Sequence, residues 1–149
     1  MKIYKIDANE RRLYRELMLM ADEQEDMVES YIDKGEMYVL NDNGIKGECL
    51  VMDAEDRILE IRNIAVLPDY RGKGYGRKLI EFIVETYRDR YDILQAGTGN
   101  SPLTVPFYEK CGFSRSHAMK NFFLENYDHP IYENGVQLID MIYFRRKMR

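Results

Sequence analysis

The chain has 149 residues, of which 45% are hydrophobic and 32% charged, and its formal net charge is -4 at pH 7. This length predicts one globular domain over residues 1–149, and no segment approaches the roughly 18 uninterrupted apolar residues that a membrane-spanning helix needs. The acidic balance argues against a nucleic-acid-binding protein, whose affinity for phosphate comes from an excess of Lys and Arg, and it suits a cationic partner.

The cysteines and the start of the chain indicate a compartment. Cys49 and Cys111 are too few to make a disulfide framework, and the first residues hold neither the apolar core nor the cleavage site of a secretion signal. We therefore expect a cytoplasmic protein with reduced thiols. His117 and His129 have no ligand spacing relative to these cysteines, so no metal site is predicted.

The first half of the chain predicts a strand, two helices and a meander. Residues 1–7 alternate as a strand does, and Asp7 or Asn9 can cap a helix whose apolar residues run from Leu13 to Ala21. A second short helix ends at Gly35. The three runs that follow are rich in β-branched or apolar residues, are separated by turn sequences, and predict antiparallel strands at 36–40, 45–53 and 57–66.

The second half begins with an amphipathic helix at 74–90, whose apolar positions lie three, four or seven residues apart. Residues 121–135 form a connection longer than most ordered ones, which predicts either a short helix plus a loop or a functional lid. The remaining predicted elements are a strand, a helix that ends at Gly112, and two further strands: 91–98, 102–112, 113–119 and 136–145.

Three glycines at the start of the 74–90 helix indicate a phosphate-binding loop. Glycine allows close approach of a ligand to the backbone, and free N–H groups at a helix N-terminus attract phosphate oxygens. Gly72, Gly74 and Gly76 are spaced G-x-G-x-G, which excludes both a Walker A loop and a G-x-G-x-x-G dinucleotide fingerprint. The alternative is a tight strand–helix turn with solvated Arg and Lys side chains.

Two segments carry a family resemblance. The sequence NIAVLPDYRGKGYGRKLI, residues 63–80, resembles the coenzyme A loop of the GNAT acetyltransferase superfamily, and FYEKCGF, residues 107–113, resembles the second signature helix of that family. The order of predicted elements also matches over nearly the whole chain. The resemblance implies a bacterial N-acetyltransferase of the small-molecule type.

The fold that this resemblance implies is α+β. Its central sheet is mixed, mostly antiparallel and twisted, with about seven strands flanked by about four helices. Acetyl-CoA is the implied co-substrate, and it lies in the cleft between strands 4 and 5.

The resemblance also assigns the cofactor contacts. The end of the fourth strand lies along the pantetheine arm, and the backbone amides of the glycine loop surround the pyrophosphate, with Lys73 and Arg77 adding positive charge. Asn100 matches a position that hydrogen-bonds the pantetheine, although Asn at this place can equally cap the next helix. The implied contacts are Ile64, Ala65, Val66, Arg71, Gly72, Lys73, Gly74, Tyr75, Gly76, Arg77, Asn100 and Tyr108.

Two residues are candidates for the chemistry. Tyr108 resembles the family tyrosine that protonates the leaving thiolate, and its alternative is a core-facing aromatic. The usual base position holds Arg62, which departs from the family. Glu60 is predicted on the same strand face as Arg62 and Ile64. It can act as a base through a bound water, or it can be an ion-pair partner of Arg62 while bulk water takes the proton.

The acceptor in this family binds to the first two helices and the loops opposite them. Acidic and aromatic residues there suit a small cationic amine, such as a polyamine or an aminosugar. The alternatives are acetylation of a protein lysine or N-terminus, and an acyl-CoA-binding sensor without turnover. The candidate acceptor residues are Tyr14, Asp22, Glu23, Glu25, Asp26, Glu29, Tyr127, Asp128 and Glu133.

The C-terminal part gives two further expectations. Residues 121–142 resemble a subgroup labelled IAA acetyltransferases, but indoleacetic acid itself offers no amine to acetylate, so the label does not identify the acceptor. Family members are often dimers, sometimes through the last strand, so the resemblance allows a homodimer, although no residues of the sequence identify a partner surface.

Overall fold

The computed structural model describes residues 1–149, and a seven-stranded sheet in the order β1-β2-β3-β4-β5-β9-β6 runs through it. Only β4 and β5 pair in parallel, whereas all other neighbours are antiparallel. The predicted mixed, mostly antiparallel sheet is thereby confirmed. The strands are β1 (Lys2–Ile6), β2 (Glu36–Asn41), β3 (Ile45–Asp53), β4 (Ile58–Val66), β5 (Ile93–Thr98), β6 (Ser114–Met119), β7 (Ile131–Glu133), β8 (Val136–Leu138) and β9 (Met141–Lys147).

Five α-helices accompany the sheet, and none of them is long and apolar enough to cross a membrane. Two 3₁₀ helices, Ala8–Tyr14 and Pro68–Tyr70, precede α1 and α3. The α-helices are α1 (Arg15–Leu19), α2 (Glu25–Tyr31), α3 (Tyr75–Tyr87), α4 (Thr104–Lys110) and α5 (Phe122–Asn126).

The sheet has a hydrophobic core on each face. On one face, which we call the α3 face, the apolar side of α3 packs with α4 against β2, β3, β4 and β5. On the other, the α1–α2 face, residues from α1 and α2 such as Met18 and Tyr31 pack against Met37, Val39 and Leu50. Because both faces are covered, β3 carries a continuous run of buried residues from 47 to 51, whereas buried and partly exposed residues alternate along most of β4.

The sheet opens between β4 and β5. The two strands pair only from Ile58 to Ile61 and from Ile93 to Ala96, although β4 continues to Val66. Beyond Ile61 the edge of β4 that faces β5 has no strand partner. This opening is the cleft expected between the fourth and fifth strands.

A β-bulge lies at the start of the cleft. Leu50 of β3 is opposite Asn63, but the next residue, Val51, is opposite Ile61, so Arg62 is the extra residue of β4. A bulge of this kind shifts the alternation of side chains by one position. Asn63 therefore faces the α1–α2 side with Leu50, whereas Ile64 faces the α3 side.

Two predicted elements differ from the observed ones. The first predicted helix begins as a 3₁₀ helix without a side-chain cap from Asp7, and it leaves Leu13 76% exposed. The last predicted strand is two strands, because the chain turns at Ile139 and Asp140 to hold the start of α5. The carbonyl of Ile139 accepts a hydrogen bond from the Phe123 N–H (2.9 Å), and Asp140 accepts one from the Asn121 N–H (2.8 Å).

Candidate active site

The loop between β4 and α3 presents a row of free backbone donors. Gly72 and Gly74 adopt φ values of +77° and +86°, which other residues rarely adopt. A Cβ added to either residue would meet no atom within 4 Å, so glycine is needed there for the backbone conformation and not because a side chain would clash. The N–H groups of residues 72–77 make no backbone hydrogen bond. Together with the N-terminus of α3, they form a site suited to phosphate oxygens.

Gly76 is required for a different reason. A Cβ on this residue would lie 2.8 Å from the ring of Phe107 in α4. The absence of a side chain thus allows α3 and α4 to pack closely at the loop. This contact joins the two segments that carried the family resemblance.

Replacing Gly76 with Ala should therefore destabilise the fold, by about 1–3 kcal/mol, because the new methyl overpacks against the Phe107 ring. The direction of the change in the free energy of unfolding is informative, because replacing Gly with Ala inside a helix normally stabilises a protein by about 0.5–1 kcal/mol. Urea unfolding measures the change. The same substitution in a Phe107→Ala background is the control and should regain the normal sign; a stabilising effect of Gly76→Ala alone would contradict the packing argument.

Cations surround the glycine loop. The Lys46 and Lys73 ammonium groups lie 4.3 Å and 5.4 Å from the ring centroid of Tyr70. The Arg71 guanidinium donates to the carbonyl of Val66 at 3.3 Å. The Tyr75 hydroxyl donates a hydrogen bond to the Asp42 carboxylate at 2.7 Å, so only the backbone of Tyr75 is available to a ligand in the cleft.

Tyr108 lies on α4 and is 5% exposed. Its ring contacts Phe113 and Phe144, with centroid distances of 5.3 Å and 6.0 Å. Burial raises the pKa of its phenol well above the usual value of 10. The phenol therefore keeps its proton at neutral pH, as a proton donor must.

A cavity of about 60 Å³ lies on the α1–α2 face beside the cleft. Residues from the α1–α2 loop, from β4 and from the segment that contains α5 surround it. Of the predicted acceptor residues, only two line it, Asp22 and Tyr127. The complete lining is Asp22, Met27, Tyr31, Glu60, Ile61, Arg62, Gly97, Phe122, Tyr127, Met141 and Tyr143.

Asp22 is one of two carboxylates that line this cavity, and Glu60 is the other. The hydroxyls of Tyr31 and Tyr127 donate to its two oxygens at 3.0 Å and 2.9 Å. Burial raises the pKa of Asp22, and the two hydroxyl donors oppose that effect. Asn63 extends the network, because its Nδ2 donates to the Tyr31 hydroxyl at 2.9 Å.

A family model described as an acetyltransferase (GNAT) domain matches residues 33–115. The uncharacterized N-acetyltransferase YvbK of Bacillus subtilis is 35% identical over 130 residues, which are 85% of this chain and 84% of that protein. The chain belongs to the GNAT acetyltransferase family. Its activity is therefore that of an acyltransferase.

Solved GNAT structures match the whole architecture. An IAA acetyltransferase from Bacillus cereus superposes with a TM-score of 0.90 at 32% identity, over 98% of both chains. A Bacillus subtilis acetyltransferase in complex with CoA gives 0.87 at 32%, over 98% of this chain and 97% of the other. A GNAT acetyltransferase from Elizabethkingia anophelis with acetyl-CoA bound gives 0.89 at 32%, with the same coverage.

In this GNAT domain Glu60 is held by two donors. Arg62 Nη1 lies 3.1 Å and Gln95 Nε2 lies 2.6 Å from its carboxylate. Glu60 and Arg62 share the α1–α2 face, as predicted, but the predicted position of Ile64 on that face is wrong because the bulge at Arg62 reverses it. Glu60 nevertheless lines the cavity.

The capping role considered for Asn100 belongs to its neighbour Ser101. The Oγ of Ser101 accepts the N–H groups of Leu103 and Thr104, at 3.1 Å and 3.4 Å, so Ser101 makes the turn into α4. Asn100 is exposed, and its side chain accepts a hydrogen bond from Arg115 at 3.2 Å. A serine directly before Pro102, at the start of the predicted helix, is the local sequence signal for this cap.

The other predicted acceptor residues lie away from the cavity. Glu25 and Glu29 form ion pairs with Arg15 at 3.4 Å and 3.2 Å, on the outer side of the helices. Residues missed by sequence reasoning include Phe122, Met141 and Tyr143, which reach the cavity from the C-terminal third. Only the tertiary fold brings them there.

Proposed function

We propose that this GNAT protein transfers an acetyl group from acetyl-CoA to a primary amine of a small cationic molecule. The transfer takes place by direct attack in a ternary complex. The observation that carries the proposal is Asp22, a half-buried carboxylate at the cavity whose hydrogen-bond partners are tyrosine hydroxyls rather than a Lys or Arg. Arg62 of the same cavity donates to Glu60 and not to Asp22, so Asp22 can accept a hydrogen bond from an ammonium group.

Acetyl-CoA is proposed to enter from the α3 side. The free N–H groups of residues 72–77 bind the pyrophosphate, and the unpaired edge of β4 near Ile64 and Val66 meets the pantetheine arm. The related structures with bound CoA and acetyl-CoA support this placement. Asn100, at the end of β5, is the proposed partner on the opposite side of the cleft.

Tyr108 is the proposed general acid. The amine nitrogen attacks the thioester carbon to form the new C–N bond, and the C–S bond breaks when the tetrahedral intermediate collapses. The phenol proton of Tyr108 passes to the sulfur, while the surplus proton of the nitrogen passes to Glu60 through a water. Both side chains then re-equilibrate with solvent.

Replacing Asp22 with Asn should raise the KM for the amine about 10- to 100-fold, because the charge-assisted contact to the ammonium is lost while the shape is retained. The KM for acetyl-CoA should stay unchanged. A thiol-release assay across monoamines, polyamines, aminoglycosides and lysine peptides first identifies the acceptor and then measures both constants.

The matched control is Asp26→Asn, an exposed α2 residue that does not line the cavity. It removes the same charge and should leave both constants unchanged. Preferred turnover of peptides over small amines would contradict the small-molecule proposal, which places the acceptor in the small cavity lined by Phe122 and Tyr127. CoA binding without thiol release for any amine would instead favour a sensor.

A further inference from the structure

Glu48 is a buried carboxyl that the proposed mechanism leaves unused. It lies on β3 between Val39 of β2 and Ala65 of β4, and its exposed fraction is 0%. Because Val39 belongs to the α1–α2 core, Glu48 faces the same side of the sheet. Neither carboxyl oxygen has a hydrogen-bond partner.

Stability alone does not explain this residue. Buried polar groups in folded proteins are nearly always hydrogen-bonded, and an unpaired buried carboxylate is costly. The nearby Ala65 N–H offsets only part of the cost of burying the charge, because it is not placed to donate a hydrogen bond to either carboxyl oxygen. An aliphatic residue between Val39 and Ala65 would stabilise the fold better, so the carboxyl points to a functional role.

The position of Glu48 links it to the acceptor cavity. Asn63 lies diagonally across from it on β4 and on the same face, within reach of long side chains. The Oδ1 of Asn63 is likewise buried without a partner, while its Nδ2 donates to the Tyr31 hydroxyl. Tyr31 in turn donates to Asp22 at the cavity.

The electrostatic effects of Glu48 reach both sides of the cleft. Burial is the main cause of the raised pKa values of Tyr31 and Tyr108, and the charge of Glu48 adds to both. One residue lines the acceptor cavity, and the other is the proposed acid. The charge of Glu48 therefore reaches a residue that lines the acceptor cavity and the proposed general acid.

We infer that Glu48 is a positioning residue for acetyl transfer, whose ionised carboxyl acts across Asn63 and Tyr31 to favour positive charge on the acceptor nitrogen. This inference rests on the proposed function. As the neutral amine attacks, its lone pair forms the C–N bond, the carbonyl π pair moves to oxygen, and the nitrogen becomes positive. An unpaired negative charge in a low-dielectric interior favours that state.

The charge of Glu48 changes in the working pH range. Burial raises its pKa to about 8. The titratable groups that its charge reaches are Tyr31, on the same face of the sheet, and Cys49 and Tyr108, on the opposite α3 face; burial raises the pKa of each above its ordinary value. Asp22, beyond Tyr31, is the nearest other acid of the network. Glu48 is therefore the group expected to ionise near pH 8.

The test is the pH dependence of kcat for wild type, Glu48→Gln and Glu48→Asp, with Glu85→Gln as an exposed control on α3. We expect wild-type kcat to rise through about pH 8. Glu48→Gln should remove this rise and lower kcat at pH 9 roughly tenfold or more. Glu48→Asp should retain the rise, and calorimetry should give an unchanged Kd for acetyl-CoA.

The possible results distinguish a failure of the role inferred for Glu48 from a failure of the proposed function. A Glu48→Gln profile that overlays wild type overturns the inference and leaves the proposed function intact. Wild-type protein that releases no thiol with any amine overturns the proposed function, and the inference with it. If Glu48→Gln does not fold, a titration of the wild-type carboxyl by ¹³C NMR decides instead, because ordinary ionisation near pH 4.5 refutes the role.

Discussion

Replacing Tyr108 with Phe should lower kcat for acetyl transfer by about 10²- to 10⁴-fold, the usual contribution of a positioned general acid. The phenol is the only part removed, and the buried ring keeps its contacts with Phe113 and Phe144. The KM for acetyl-CoA should change little, because the ring still fills the same space. Thiol release at saturating amine measures the effect.

The control for this change is Tyr132→Phe, in which the hydroxyl of an exposed tyrosine on β7 is removed. Its kcat should equal that of wild type. If Tyr108→Phe also retains wild-type kcat, Tyr108 is a core aromatic and the thiolate takes its proton from elsewhere. Thermal denaturation of both variants should remain close to wild type, so a lower rate cannot be attributed to unfolding.

Glu48→Gln should remove part of the pH dependence of the free energy of unfolding. The folded-state pKa of Glu48 is raised to about 8 from 4.5, so the stabilising effect of its proton is present below pH 4.5 and is lost as pH rises toward 8. At about 1.4 kcal/mol per pH unit, the loss reaches roughly 3–5 kcal/mol. The Gln variant carries no such penalty, so at pH 9 it should be more stable than wild type.

Urea unfolding at pH 5, 7 and 9 measures this effect. The stabilities of the two proteins should be similar at pH 5 and should diverge as the pH rises. Glu85→Gln removes an exposed carboxylate from α3 and should follow the wild-type curve. Parallel curves for wild type and Glu48→Gln would mean that the carboxyl ionises normally, through relaxation or solvent access.

Local sequence patterns predicted much of the fold and the cofactor loop. The strands of the meander, the α3 helix and the α4 helix appeared where periodicity and turn residues placed them. The glycine loop was readable because Gly72 and Gly74 serve a backbone conformation that few other residues adopt. These features depend on residues near one another in the chain.

The rest depends on long-range contacts. The hydrogen bond from Tyr127 to Asp22 joins residues 105 positions apart, and no local pattern selects that pair from the other acidic residues of the first helices. No glycine or proline in the sequence predicts the bulge at Arg62, although the bulge determines on which face of the sheet Glu60, Asn63 and Ile64 lie. The unpaired state of Glu48 follows only from the packing of α1 and α2 over β3.

The short pairing of β4 with β5 has a thermodynamic consequence. Only four residue pairs form the strand ladder between β1–β4 and the group β5, β9 and β6. A molecule that fills the open part of this junction contacts both groups at once and adds its binding free energy to their association. Bound ligand is therefore expected to slow amide hydrogen exchange in both groups, in addition to the protection that their shared α3-face core provides.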